Sequence, residues 1–325
     1  MNDEMNILIL SCGTRNKIVQ YFKKELAGKG HVFATDCSEL APALYEADKH
    51  FIVPRMEDDG YLGEILSICE EHNIKGVLSL IDPELSLLAE HKQEFLEIGT
   101  LPIVSDLDVV EMCFDKYKMF DFLVQNGIQT VKSYIDKEQF FIDVQKEVIT
   151  YPVFVKPVKG SASINISKVT SNGEIEGLFS RFDNLMIQEF MNGTEYGADV
   201  YIDMISGEIV SIFAKEKIKM RAGETDKSVS IKDEKLFKVI EEFVNNTGFK
   251  GIIDIDIFKV YDQYYISEVN PRFGGGYPHA YECGINVPRM IVNNMMGILN
   301  SNLIGRYDSG IHMMKYNEVK IYKNK

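Results

Sequence analysis

Residues 251–279 read GIIDIDIFKVYDQYYISEVNPRFGGGYPH. Ile253, Ile255 and Ile257 alternate with Asp254, Asp256 and Phe258, the period of a strand with one apolar face and one face that carries two carboxylates. Aspartate is depleted in strands, so two in one run call for a reason. A second run, residues 264–270, follows a short turn around Tyr261, Asp262 and Gln263, and the pair predicts an antiparallel hairpin. A three-residue loop pairs Val260 with Tyr264; counting outward sets Asp256 opposite Glu268 and Asp254 opposite Asn270. One end of the ribbon then gathers three carboxylates and an amide.

Such a cluster repels itself unless a cation sits in it. Hard oxygen donors suit Mg²⁺, which is held by one or two carboxylates and completed by water and substrate phosphates. Pro271, Arg272, Phe273 and then Gly274, Gly275 and Gly276 follow directly, placing a guanidinium and a bare, mobile backbone beside the expected metal. An arginine there can grip a phosphoryl oxygen in a bidentate fork. Four oxygen donors in register ahead of an arginine and three glycines weigh against a plain hairpin with solvated acids.

The run Glu268, Val269, Asn270, Pro271, Arg272, with an acid twelve residues upstream, resembles the magnesium–phosphate site of ATP-grasp ligases, in particular those similar to the large subunit of carbamoyl-phosphate synthase. The resemblance implies an α/β (α+β) fold in which a small parallel α/β domain (1–108) precedes a two-part ATP-grasp domain (109–305). A lid subdomain falls at about 118–190, and a tail (306–325) packs on the ATP-grasp core. It also implies ATP and Mg²⁺, with Mn²⁺ as a substitute, and Asp256, Glu268 and Asn270 as metal ligands.

The whole chain sets bounds. With 325 residues and 45% apolar content it buries a large core in two or three subdomains. A net charge of −14 argues against a nucleic-acid or anionic-membrane partner. No run approaches the eighteen apolar residues of a membrane span, and the N-terminus lacks a signal-peptide pattern, so a cytoplasmic location is expected. Five scattered cysteines without a C-x-x-C pair predict neither disulfides nor zinc.

In the N-terminal third, the apolar run 6–10 ends in SCGTRN and passes into a helical pattern stopped by Gly30. Residues 31–34 and 76–80 read as further strands that end near Asp36 and Asp82. Strands alternating with helices imply a parallel sheet with ligands at its carboxyl ends. SCGTRN is not G-x-G-x-x-G, so a dinucleotide site is not expected. By the resemblance this domain helps to hold the substrate, which makes Thr14, Arg15, Asp82 and Glu84 candidates; Asp82–Pro83 also reads simply as a helix start.

Asp115 and Lys116 open a helix that ends before Gly127. Residues 151–157 (YPVFVKP) form a strand bearing Lys156, followed by Gly160 and Ser161. A lysine on a rigid strand neutralises phosphate charge, and a Gly/Ser loop approaches phosphates with backbone N–H groups. No Walker pattern is present; the stretch is similar to the ATP-grasp lid loop, with one glycine where relatives have several. By the same resemblance Lys116 reaches the phosphates, Glu189 and the backbone of Phe190 and Met191 hold adenine, and Glu195 takes the ribose hydroxyls. Residues 215–221 bring four cations into seven positions. The resemblance points to Lys215 and Arg221 beside the γ-phosphate, together with Arg272, leaving the other lysines on the surface. Tyr277, His279 and Tyr281 are further substrate-facing candidates.

The resemblance spans roughly residues 113 to 300 through five motifs in order. It implies a carboxylate–amine ligase that forms an acylphosphate and releases ADP, acting on small-molecule carboxylate and amine substrates and compatible with a homodimer. A bicarbonate-activating unit like that of carbamoyl-phosphate synthase, or an ATP-binding protein without turnover, are the rival readings.

Overall fold

The computed structural model describes residues 4–160 and 166–323. Five strands near the N-terminus form a parallel sheet in the order Lys49–Ile52, Val32–Asp36, Asn6–Leu10, Ile74–Ser79, Leu101–Pro102. All five residues of Asn6–Leu10 are buried, as expected of a central strand covered on both faces. From this strand the chain builds first to one side and then to the other. The crevice between Asn6–Leu10 and Ile74–Ser79 is therefore a topological switch point, where ligands of such sheets collect. Arg15 and Asp82 follow the carboxyl ends of these two strands.

The rest of the chain makes two antiparallel sheets. A six-stranded sheet has the order Gln263–Asn270, Gly251–Val260, Thr194–Ile202, Ile209–Arg221, Glu224–Ile231, His312–Met314. A four-stranded sheet contains Ser133–Tyr134, Leu185–Glu189, Val153–Pro157 and Ser167–Val169. One face of the six-stranded sheet presents Ala198, Val200, Ile212, Ala214, Ile253, Ile255 and Ile257 to the helix Glu234–Asn245, which buries Leu236, Ile240, Phe243 and Val244 against them. Strand alternation sends the polar set, including Asp254 and Asp256, to the opposite face. Among the described residues no helix is long and apolar enough to cross a membrane.

The acidic hairpin has the expected pairing at its functional end by a different route. The turn is one residue shorter than expected: Val260 pairs with Gln263, with Tyr261 in the left-handed region (φ 52°). A register shift between Asp256 and Ile257 leaves Ser267 as an extra residue on the return strand. The two departures cancel, so Asp256 lies opposite Glu268 and Asp254 opposite Asn270.

An aromatic seam joins the N-terminal sheet domain to the glycine turn. Phe22, on the helix Asn16–Leu26, meets Phe273 edge-on at 5.9 Å, and Phe273 meets Tyr277 at 4.7 Å. Tyr21 stacks on Tyr281 at 3.6 Å. Both belong to one buried cluster that runs from Ile7 and Ile9 to Ile291 and Tyr307. The tail crosses the same boundary: Lys320 Nζ donates to the Tyr45 carbonyl at 3.0 Å and pairs with Glu46 at 2.6 Å. Phe22→Ala empties a site with no solvent exposure and is expected to cost about 3–5 kcal/mol in urea unfolding. A loss below about 1 kcal/mol would show that the seam contributes little to joining the two parts.

Candidate phosphate and metal site

The polar face of the six-stranded sheet, the lid strand Val153–Pro157 and the switch-point crevice enclose a cavity of ≈ 640 Å³. Its floor is the hairpin end, where Asp254, Asp256, Glu268 and Asn270 line the space. Lys217, from the strand Ile209–Arg221 two places from Gly251–Val260 in the sheet, puts Nζ 2.5 Å from Asp256 Oδ1 and 2.8 Å from Glu195 Oε1. Burial alone would lower the Lys217 pKa, but Asp256, Glu195 and Asp254 outweigh it and raise it. Among the described residues no cation pairs directly with Asp254, and the pull of Lys215 and Lys217 is outweighed. Burial first, and then the neighbouring Asp256, push its carboxyl up to about 7.

The lid side supplies cations. Lys156 is buried on Val153–Pro157, donates to the Gln188 side-chain oxygen at 2.8 Å and lies 4.0 Å from Glu268. Desolvation lowers its pKa, the Glu268 carboxylate opposes this, and Lys116 adds to the lowering. Lys116 opens the helix Lys116–Gln125, whose first turn is capped by the Asp115 carboxylate through Tyr117 and Lys118 N–H. Its ammonium donates to the Gly160 carbonyl and its own N–H to the Val158 carbonyl, tying the helix start to the lid loop. Gly160 takes φ +130°, a conformation that L side chains rarely adopt.

At the crevice end each guanidinium is matched by a carboxylate. Arg272 donates through Nε and Nη2 to both oxygens of Asp82, each at 2.8 Å, and through Nη2 to Asn270 at 3.2 Å. Burial works against the Arg272 charge, and Asp82 more than restores it. Arg15 pairs with Glu224 at 3.0 Å, and Glu224 also takes Lys315 of the tail at 2.7 Å.

Charged side chains pack closely against the glycine turn. A Cβ on Gly274 would collide with the Asp254 carboxyl; one on Gly275 would stand 2.7 Å from Glu224 Cδ and 2.9 Å from Arg15 Nη1. These residues are glycine because charged side chains occupy the space a side chain would need.

Several expected residues lie elsewhere. Lys215 is wholly buried in an ion pair with Asp199 and does not line the cavity; Lys217, expected on the surface, does. Alternation puts both on one face of the strand, which is the signal in the sequence, but only Lys217 opens to the cavity. Arg221 points away, 3.2 Å from both Asp226 and Asn317, beyond two register shifts in the pairing of Ile209–Arg221 with Glu224–Ile231. Glu84 is buried among the hydroxyls of Ser11, Ser79 and Tyr61, and burial raises its pKa. Tyr277 bonds the Ile285 carbonyl and Val287 N–H, and His279 bonds Ser228 and the Ile311 carbonyl. Burial, and then Lys215, lower the His279 pKa to about 4. With Tyr281 stacked on Tyr21, none of these three faces the cavity. Thr14 is exposed and outside the lining. Glu195 lines the cavity, whereas Glu189, at the end of Leu185–Glu189, and Phe190 and Met191, on the link to Thr194–Ile202, are not among its lining residues. Ser161 lies outside the described residues.

The donors fit a divalent cation that prefers oxygen ligands. Among the described residues no three His, Cys, Asp or Glu side chains converge to hold a metal ion by themselves. Two carboxylates and an amide, Asp256, Glu268 and Asn270, form an open set of hard oxygens, the set Mg²⁺ uses when phosphates complete its shell.

Residues 7–103 match the family model of PylC-like N-terminal domains, and residues 113–276 that of ATP-grasp domains. A carbamoyl-phosphate synthase of Methanobrevibacter smithii is 26% identical over 281 residues, 81% of this chain and 74% of that protein. A D-alanine–D-alanine ligase of Acetivibrio thermocellus is 27% identical over 187 residues, 49% of this chain and 50% of that protein. In fold, the chain is similar to N5-carboxyaminoimidazole synthetase from Staphylococcus aureus, with TM-score 0.71 at 17% identity over 93% of this chain and 81% of that one. It is also similar to L-amino acid ligase from Bacillus licheniformis, with TM-score 0.67 at 20% identity over 91% and 75%. The matched ATP-grasp region takes up half of the sequence, and the protein belongs to the ATP-grasp family of ATP-dependent carboxylate–amine ligases.

Proposed function

We propose that the protein is a Mg²⁺-dependent, ADP-forming ligase that activates a small-molecule carboxylate as an acylphosphate for capture by an amine or similar nucleophile. The observation that carries this reading is the convergence on one cavity of lid lysines, hairpin carboxylates and the Arg272 guanidinium. Asp256, Glu268 and Asn270 would hold Mg²⁺, which when bound offsets phosphate charge and orients the phosphoryl oxygens.

The chain's own residues do the rest. Lys156 has an amide and one carboxylate at 4.0 Å as its neighbours, so its charge is available to nucleotide phosphate. Lys116 donates to the Gly160 carbonyl and so ties the start of its helix to Gly160 at the edge of the cavity. Glu189 and the backbone of Phe190 and Met191 would take the base at the link between the sheets, with Glu195 toward the ribose, the few directional groups a buried nucleoside needs. The carboxylate substrate enters from the crevice, where Arg15 and Arg272 stand. Its oxygen attacks the γ-phosphorus as the bond to ADP breaks. The amine then attacks the acyl carbon, phosphate departs with the C–O electron pair, and the nitrogen loses a proton. Such transfer demands positioning and charge neutralisation more than a protein nucleophile. Five free cysteines accord with a reducing cytoplasm.

Glu268→Gln keeps the shape but removes one negative donor, and Mg²⁺–ATP turnover, read as ADP release with pooled carboxylates and amines, is expected to fall at least ~10²-fold. Undiminished turnover would remove Glu268 from the metal site. Arg272→Ala by itself strands the buried Asp82 at a cost of about 3–5 kcal/mol. The informative variant therefore removes both groups, Asp82→Ala with Arg272→Ala. It is expected to bind ATP within about threefold of wild type by calorimetry and to lose most ADP formation, the pattern of a contact made in the transition state. Weakened ATP binding with full turnover at saturation would reduce Arg272 to a nucleotide holder.

A further inference from the structure

A lysine stands at the acidic end of the cavity. The Lys217 side chain is 3% exposed, while its partners Asp256 and Glu195 are 27% and 30% exposed, so the ammonium is shielded from bulk solvent where it meets the two carboxylates at the cavity wall. Its route is built into the sheet. Gly197 stands opposite Asp256 on one side and Lys215 on the other. A Cβ on Gly197 would lie 3.1 Å from Lys217 Cε, so the bare backbone opens a slot through which the stem crosses to Asp256 two strands away. An ammonium and a divalent cation on one carboxylate repel each other, and an oxygen that already accepts from Lys217 is a poorer metal ligand.

We infer that Lys217 is the resident counter-cation of Asp256 and Glu195 and that it exchanges with the divalent cation that accompanies the nucleotide. On exchange its Nζ leaves Asp256 for the phosphate oxygens brought with that cation. The protein is thereby discouraged from taking up metal alone, and metal and nucleotide enter together. This inference rests on the assignment of Asp256, Glu268 and Asn270 as metal ligands.

Mn²⁺ titration of the full chain, followed by the electron paramagnetic resonance of the free ion, tests it without turnover. Without nucleotide, Lys217→Met is expected to bind Mn²⁺ at least ~10-fold more tightly than wild type, because a neighbouring positive charge has gone. Lys217→Gln, which keeps a donor to Asp256 and removes only the charge, is expected to shift the same way and serves if the methionine variant does not fold. With a non-hydrolysable ATP analogue the order reverses, since wild type gains the contact from Lys217 to phosphate. Equal Mn²⁺ affinities without nucleotide, or no reversal with the analogue, would overturn the exchange. Glu268→Gln separates the two readings: if it leaves Mn²⁺ binding with the analogue unchanged, the metal assignment itself fails.

Discussion

Carboxylates crowded on one wall of a partly buried cavity cannot all stay ionised without cations among them. That constraint shapes this protein. Glu195, Asp254, Asp256 and Glu268 share one face of the six-stranded sheet, and three of them meet an ammonium: Glu195 and Asp256 through Lys217, and Glu268 more distantly through Lys156. Asp254, which pairs directly with no ammonium among the described residues, has its carboxyl pushed up to about 7. The acids are retained on a strand against propensity because the opposite face of the same residues' strand, Ile253, Ile255 and Ile257, anchors the core.

The same balancing of charge joins the two parts of the chain. Asp82 closes the fork of Arg272 from across the crevice, and Glu224 ties Arg15 of the N-terminal sheet domain to Lys315 of the tail. Exposed ion pairs contribute little, but the Asp82–Arg272 pair is largely buried and doubly bonded, so losing either member would leave a charge without a partner. The aromatic seam from Phe22 to Tyr277 includes Phe273, the residue after Arg272, and packs the turn that follows Arg272 against the N-terminal sheet domain. The crevice and the acidic end of the cavity are thus parts of one packed unit.

The order of the parts was legible in the amino-acid sequence. The parallel N-terminal sheet, the capped helix after Asp115, the lysine on its lid strand and the acidic hairpin all follow from local periodicity and end signals, and local signals survive folding. The pairing of Asp256 with Glu268 was legible too, although it rests on a short turn and a bulge whose offsets cancel, and neither can be read from alternation alone.

Which cations reach the cavity lay beyond the sequence. Alternation puts Lys215 and Lys217 on the same face, so no periodic reading separates them; Asp199 on the adjacent strand takes one, and Asp256, two strands away, takes the other. Arg272 shows its guanidinium in the sequence, but its partner lies 190 residues earlier. Three glycines read as freedom until Asp254, Glu224 and Arg15 are seen filling the space beside them. A side chain's type and face are set by its neighbours in the chain. Whether its charge is spent on a structural pair or left facing a ligand depends on which opposite charge folding brings within a few ångströms, and only the tertiary structure decides that.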